Sequence, residues 1–263
     1  MKILGFILII VGIILFFVQK SQKNRAFSLK SARPTTVAEL EQTAGAIAQE
    51  IGSGSWRDYI KLIGTIHCDD PLTSELKRES CVHYKMTVTR EYEETVTKRD
   101  NDGKTTRETK RSSETISSNQ QSIPFILEDS TGRIEVNPHG SDIDSIKVLD
   151  EFREGEQTGN RLTFGGLSIT VSPSSSGRRT LGYRYTEHIL PMGRRVFVLA
   201  TVSDSAGNLV LQKPIDAEKK FIISLKTDEQ LTESAEKGAQ MAYYGMLGCL
   251  IIGVILVIVG FLF

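Results

Sequence analysis

The chain has 263 residues, with 32 Lys and Arg against 32 Asp and Glu, and so no formal net charge. That balance argues against a polyanionic partner, and no nucleic acid is expected among its ligands. Three cysteines are too few for a disulfide framework, and with only four histidines they leave little for a metal centre.

Hydrophobicity is concentrated at the two ends. Ile3 to Val18 is an unbroken run of sixteen apolar or glycine residues. A secretory signal would follow such a run with a small-x-small cleavage site. Here Gln19, Lys20, Ser21, Gln22 and Lys23 follow, and bulky Phe16 and Phe17 precede them. We therefore expect residues 1–19 to be a retained transmembrane helix flanked by Lys2 and Lys20. Residues 20–35 form a juxtamembrane arm with five basic residues (Lys20, Lys23, Arg25, Lys30, Arg33) and no acidic one. Such an arm is expected to lie against anionic headgroups.

Thr36 and Glu39 form a capping-box pair that opens a helix, with Leu40, Ala44, Ile47, Ala48 and Ile51 as its apolar stripe. Gly52 and Gly54 stop it. From Trp56 the period falls to two. Tyr59 to Ile66 reads as a strand, Asp69 to Leu72 as a turn, and Cys81 to Lys98 as a long strand. Asn101-Asp102-Gly103 is a hairpin turn, with Thr105 to Ser118 returning as the polar partner. Between Arg90 and Glu114 seven basic residues interleave with seven acidic ones, which predicts a solvated face of exposed strands or a mobile loop.

Ile123 to Leu127 and Arg133 to Val136 form a second hairpin around the turn Glu128 to Gly132. Asp129 is expected to bond its own turn, with Gly132 at a positive φ. Ser172 to Arg178 reads as a flexible crossing. Glu187 to Pro191 leads to a strand over Arg195 to Val202, Ser205 to Asn208 turns into Leu209 to Leu211, and Phe221 to Leu225 is the last strand. A linker helix over 227–240, capped by Thr227 or Asp228, then enters a second transmembrane helix over 241–263, a run of twenty-three residues long enough to span a bilayer. Gly245, Cys249, Gly253 and Gly260 put small residues on one face of it, as Gly5 and Gly12 do in the first run. We expect the two spans to pack together within one chain, the alternatives being a homo-oligomer or no specific contact. Residues 36–226 then form an all-β barrel or sandwich, OB-like among the choices, between two membrane helices with short helices at entrance and exit.

No catalytic or cofactor-binding constellation stands out. Cys81, His83, Glu128 and His188 are the groups from which an enzyme site would have to be assembled in space. His67, Cys68, Cys81 and His83 resemble a zinc set only superficially, because the spacing is not that of a knuckle and strand neighbours point to opposite faces. No metal or other cofactor is expected. Cys68 and Cys81 could pair in an oxidising compartment, or stand as two small half-buried residues.

Several segments in order resemble the GIDE ("beside a membrane") domain family of the mitochondrial ubiquitin ligase and its bacterial and archaeal relatives. They are Val37 to Leu40, Tyr59 to Gly64, Pro71-Leu72 with Cys81 and Tyr84, the block Phe125 to Pro138, and Glu187, Ile189 to Gly193 and Val196 to Ala200. The resemblance runs from Val37 to about Leu225 with an apolar run on each side, and it suggests a prokaryotic member. It also implies an E3 ubiquitin ligase label. The zinc-bound RING that serves that activity needs Cys-x-x-Cys pairs, and this chain has none before Phe263. The expectation is thus a two-pass integral membrane protein, not a ligase by itself. It would present a GIDE-like domain as a binding or scaffold module to lipids and to an unidentified membrane or peripheral protein. An enzyme with a spatially assembled site and a lipid or ligand sensor are the alternatives. Lys and Arg at the loop ends of both spans place the domain on the cytoplasmic face, whereas the mitochondrial relatives place theirs on the other side.

Overall fold

A computed structural model describes residues 2–262 apart from positions 53, 55, 100–104, 156–160, 172–177 and 205–207. In chain order, helix α1 (Lys2–Ser31) and the short strand β1 (Arg33–Pro34) precede helix α2 (Val37–Ile51) and strand β2 (Arg57–His67). Next come β3 (Leu72–Thr73), β4 (Ser80–Arg99), β5 (Thr105–Ser122), β6 (Phe125–Glu128) and β7 (Arg133–Val136). They are followed by β8 (Asp142–Ile143), β9 (Ile146–Glu154), β10 (Arg161–Phe164), β11 (Leu167–Thr170) and β12 (Arg178–Pro191). Strands β13 (Arg195–Ser203), β14 (Val210–Gln212) and β15 (Ile222–Ser224) lead to helix α3 (Asp228–Leu262).

The chain divides into two compact units, the first made of Met1–Thr65, Leu127–Ile143 and Arg195–Phe263. Its sheet runs β2-β6-β7-β14-β13, and a further β2–β13 pairing closes it into a five-stranded barrel. Counted along the chain, these strands neighbour one another in the order first, second, third, fifth, fourth. The third and fifth are parallel, and the fourth returns antiparallel to the first, with Phe197 opposite Ile63. This is the OB-like Greek-key barrel among the expected choices. Strand β13 is buried from Val196 to Ser203 without a break, as expected of a strand covered on both faces. At Gly64 a Cβ would stand 2.7 Å from the carbonyl oxygen of Glu128, so only glycine lets β2 pass the end of β6.

Both apolar runs are helical, and both helices are long and apolar enough to cross a membrane, over Ile3–Ser31 and Asp228–Gly260. They pack on each other through their glycines: a Cβ on Gly253 would lie 3.0 Å from the carbonyl oxygen of Gly5. A Cβ on Gly12 would lie 2.9 Å from Cγ of Leu250. The expected face is therefore used, with Gly5 as the partner of Gly253.

The basic arm departs from expectation. Residues 20–31 continue α1 as helix, and three of the five cations pair with protein carboxylates. Arg25 meets Asp142, Lys30 meets Glu236, and Arg33 meets Asp58 at 3.0 Å. The arm also buries Leu29 and Ala32 in a cluster with Tyr59, Phe197, Leu199, Ile222 and Leu231. Helix α3 begins where the linker helix was expected and runs unbroken into the apolar segment. Thr227 and Gln230 cap it reciprocally.

The second unit comprises Ile66–Ile126 and Asp144–Arg194, two insertions into the barrel's chain order. Its main sheet runs β3-β4-β12-β9, with β5 paired to β4. The interleaved charges become cross-strand pairs: the β4–β5 register sets Glu93 opposite Arg111, and Arg90 opposite Glu114. Both couples form ion pairs. The turn expected at Asn101-Asp102-Gly103 lies outside the described residues, as do the core of the crossing at 172–177 and the turn at 205–207. Strands β9, β10 and β11 arise from a stretch that carried no sequence expectation. Cys68 and Cys81 are both free.

Glu187 is fully buried on β12. Its carboxylate accepts hydrogen bonds from Ser74 Oγ at 2.9 Å and from the backbone N–H groups of Leu76 and Lys77, each at 2.8 Å. It therefore organises the connection between β3 and β4. His83 lies nearby in sequence on β4, only 3% exposed, with Nδ1 2.7 Å from Ser122 Oγ. Burial, aided by Lys85, lowers its pKa from 6.5 to about 4. The unfolded chain thus binds a proton near pH 6.5 that the folded chain refuses until about pH 4. The corresponding stability is full above pH 6.5 and is lost as pH falls through that window. Urea midpoints measured from pH 7 to pH 4 should fall less steeply for His83→Gln than for the wild type. Equal slopes would remove His83 from the acid response.

Candidate functional site

The turn Glu128 to Gly132 does more than join β6 to β7. Asp129 Oδ1 accepts the backbone N–H of Thr131 at 2.7 Å and that of Gly132 at 2.9 Å, closing the turn as expected. Its other oxygen, Oδ2, accepts the N–H of Val37 at 2.9 Å, and Thr131 Oγ1 accepts that of Ala38 at 3.0 Å. Thr36 takes the N–H of Glu39 through the capping box. The orphan donors of the first turn of α2 are thus bound partly by the helix's own cap and partly by a barrel hairpin. Burial pushes the Asp129 pKa up, but the hydrogen bonds from Thr131, Val37 and Gly132 outweigh it and hold the carboxyl below its ordinary range.

Gly132 does not carry the positive φ expected of it. Its lack of a side chain serves contact instead, since a Cβ there would stand 2.9 Å from Cγ1 of Val37. The far end of α2 is held too. Asp204, buried at the end of β13, accepts the N–H groups of Gly54 at 2.8 Å and Trp56 at 3.0 Å.

Between these two attachments α2 spans a groove of about 500 Å³. Val37, Ala44, Gly45 and Ala48 line it from the helix, and Ile134 and Leu209 from the barrel side. Glu41, Arg133 and Glu135 stand along it as well. The expected stripe does face the protein, with Leu40 buried, but Ala44, Ile47 and Ala48 are only half-buried. The void is a consequence of small side chains on a helix fixed at both ends. Its position matters, because OB-type barrels take ligands on the face of their second and third strands and on the loop between the fourth and fifth. Here β7 is the third strand, and Asp204, Asn208 and Leu209 belong to the connection from fourth to fifth.

The groups from which an enzyme site would have to be assembled have individual structural explanations. Cys81 is fully buried, and burial together with nearby Glu187 pushes its thiol up to about 11, the reverse of an activated nucleophile. His83 is the buried neutral histidine described above. Glu128 pairs with Arg133 at 3.0 Å. His188 is half-buried, its pKa lowered by burial and then by Lys147 and Lys85. Among the described residues no three His, Cys, Asp or Glu side chains are arranged to hold a metal ion. From sequence, Ala44 and Ala48 read as core stripe, Leu209 as the start of a strand and Gly45 carries no signal, so none of the four stands out as a site residue. Their signal was indirect: a capped amphipathic helix and an Asp-x-x-Gly hairpin, whose meeting only the fold reveals.

A family model named GIDE, described as E3 ubiquitin ligase, matches residues 93–259. That span begins within β4 and ends in α3, so α2 and β2 precede it. Among curated proteins the chain is similar to the E3 ubiquitin-protein ligase SPL1 of Arabidopsis thaliana, at 27% identity over 138 residues. It is also similar to the E3 ubiquitin-protein ligase SP1 of the same plant, at 28% over 137 residues. Each match covers 51% of this chain but only 38% and 37% of the relatives' own lengths. No solved structure matches. With the model covering well over half of its length, and a mainly β body between two apolar helices, the chain belongs to the GIDE family.

Proposed function

We propose that this chain is a two-pass membrane protein that holds an OB-like barrel beside the bilayer as a binding module. The observation that carries the reading is the groove under α2, which lies on the face such barrels use for ligands and is kept open by hydrogen bonds at both helix ends. A domain tethered through two helices meets membrane partners at high effective concentration, so modest affinity suffices. The curated relatives are named as ubiquitin ligases over lengths this chain spans by less than two fifths. Recruitment of a partner through the groove under α2 is the role we assign to these residues. Gly132→Val should force Val37 aside and loosen α2 from the hairpin. Co-purification from detergent should then lose partners that the wild type retains, with circular dichroism showing that the β body persists. Identical partner lists would contradict the proposal.

The barrel is assigned to the cytoplasmic face. Lys20, Lys23, Arg25, Lys30 and Arg33 all follow the first apolar run, and the orienting rule counts Lys and Arg near span ends whatever their later ion pairs. Ser113, exposed on β5, offers a reporter. A Ser113→Cys variant without native cysteines should resist a membrane-impermeant maleimide on intact cells and react after lysis. Labelling of intact cells would place the domain outside.

A further inference from the structure

Resting on the binding-module reading, we infer that the groove under α2 takes an extended peptide segment carrying Lys or Arg beside small apolar residues. Three independent observations converge on that chemistry. The first is shape. Gly45 faces the groove, and a Cβ there would meet no atom within 4 Å. The space is maintained by the fixed ends of α2, with Asp129 and Thr131 at one end and Asp204 at the other.

The second is the strand beside it. The parallel ladder between β7 and β14 covers only Glu135 and Val136, paired with Val210 and Leu211. Arg133 and Ile134, which precede them on β7, lie beyond the start of β14 and line the groove. Ile134 is 3% exposed, so this edge offers no open main chain, and an extended segment laid along it is held through its alternate side chains. Ile134 and Leu209 provide the apolar floor for those side chains.

The third is charge. Glu41 on α2 and Glu135 on β7 are exposed, and neither forms an ion pair among the described residues. The other charged groups of the groove are already committed, Arg133 to Glu128 and Asp204 to the N–H groups of Gly54 and Trp56. Two uncompensated carboxylates flanking an apolar floor favour a cationic occupant. The same pair repels anionic lipid headgroups and nucleic-acid phosphates, which leaves a basic peptide as the fitting class.

The test uses the full chain in nanodiscs of uncharged phosphatidylcholine, panned against a phage-displayed library of random dodecapeptides. Enriched peptides should carry an excess of Lys and Arg interspersed with Ala, Val or Leu. Gly45→Trp, which fills the groove from an exposed helix position, should weaken the leading peptide about ten-fold or more. Glu41→Lys combined with Glu135→Lys should weaken it comparably and restore binding to the same peptide remade with Glu in place of its basic residues. Acidic or uncharged peptides that still lose affinity to Gly45→Trp would overturn the inferred chemistry and leave the binding-module reading standing. Failure of any peptide to enrich, or binding indifferent to Gly45→Trp, would overturn the inference, whereas the binding-module reading falls only if wild type and Gly132→Val retain identical partners.

Discussion

Lys61 joins the parts of the first unit that the chain order keeps far apart. It stands on barrel strand β2, and its ammonium donates to the carbonyl of Leu29, in the last turn of α1, at 3.3 Å, and to the carboxylate of Asp228 at the start of α3. Each contact suits the local field. The C-terminal end of α1 presents unsatisfied carbonyls to a cation, and Asp228 occupies a helix N-terminus that favours an anion. Both side chains are mostly withdrawn from solvent, 19% and 24% exposed, so the pair is less screened than a surface ion pair. The other oxygen of Asp228 is buried without a hydrogen-bond partner among the described residues, which leaves Lys61 as its main compensation.

Around that contact the apolar cluster of Leu29, Tyr59, Phe197, Leu199, Ile222 and Leu231 presses the same two helices onto the barrel. Dispersion and burial provide the bulk of the adhesion, while the ion pair fixes which turn of each helix meets β2. The consequence for function is geometric. With both apolar helices anchored on one side of β2, the barrel has a defined orientation relative to them, and the groove under α2 inherits it. The groove itself depends on a separate device, the hairpin Asp129 to Gly132 that caps α2. Orientation of the barrel and shaping of the groove are therefore carried by different residues.

Much of this organisation is legible in the amino-acid order where the cause is local. The Thr36–Glu39 box predicts α2, the apolar runs predict α1 and α3, and the Asp129 turn announces the hairpin of β6 and β7. What depends on distant partners is not legible. Lys20 to Ser31 reads as a charged arm because Asp142 and Glu236, which neutralise Arg25 and Lys30, lie more than a hundred residues away. Barrel closure rests on β2 meeting β13, a pairing no local pattern encodes. Strand β9 carries charges on both faces and so lacks a clean alternation. The Asp-x-x-Gly pattern suggests a backbone role for Gly132 whereas its role is steric, and Ala44, Gly45 and Ala48 look like ordinary helix residues until the space beside them is seen.

Lys61 registers both helices on the barrel, and amide hydrogen exchange of a Lys61→Met variant in detergent tests this directly. Exchange should accelerate around residues 28–33 and 226–232, where the helices meet β2. Exchange in β6, β7 and the first turn of α2 should stay as in the wild type. Unchanged protection at both helix junctions, or equal acceleration throughout the barrel, would contradict it.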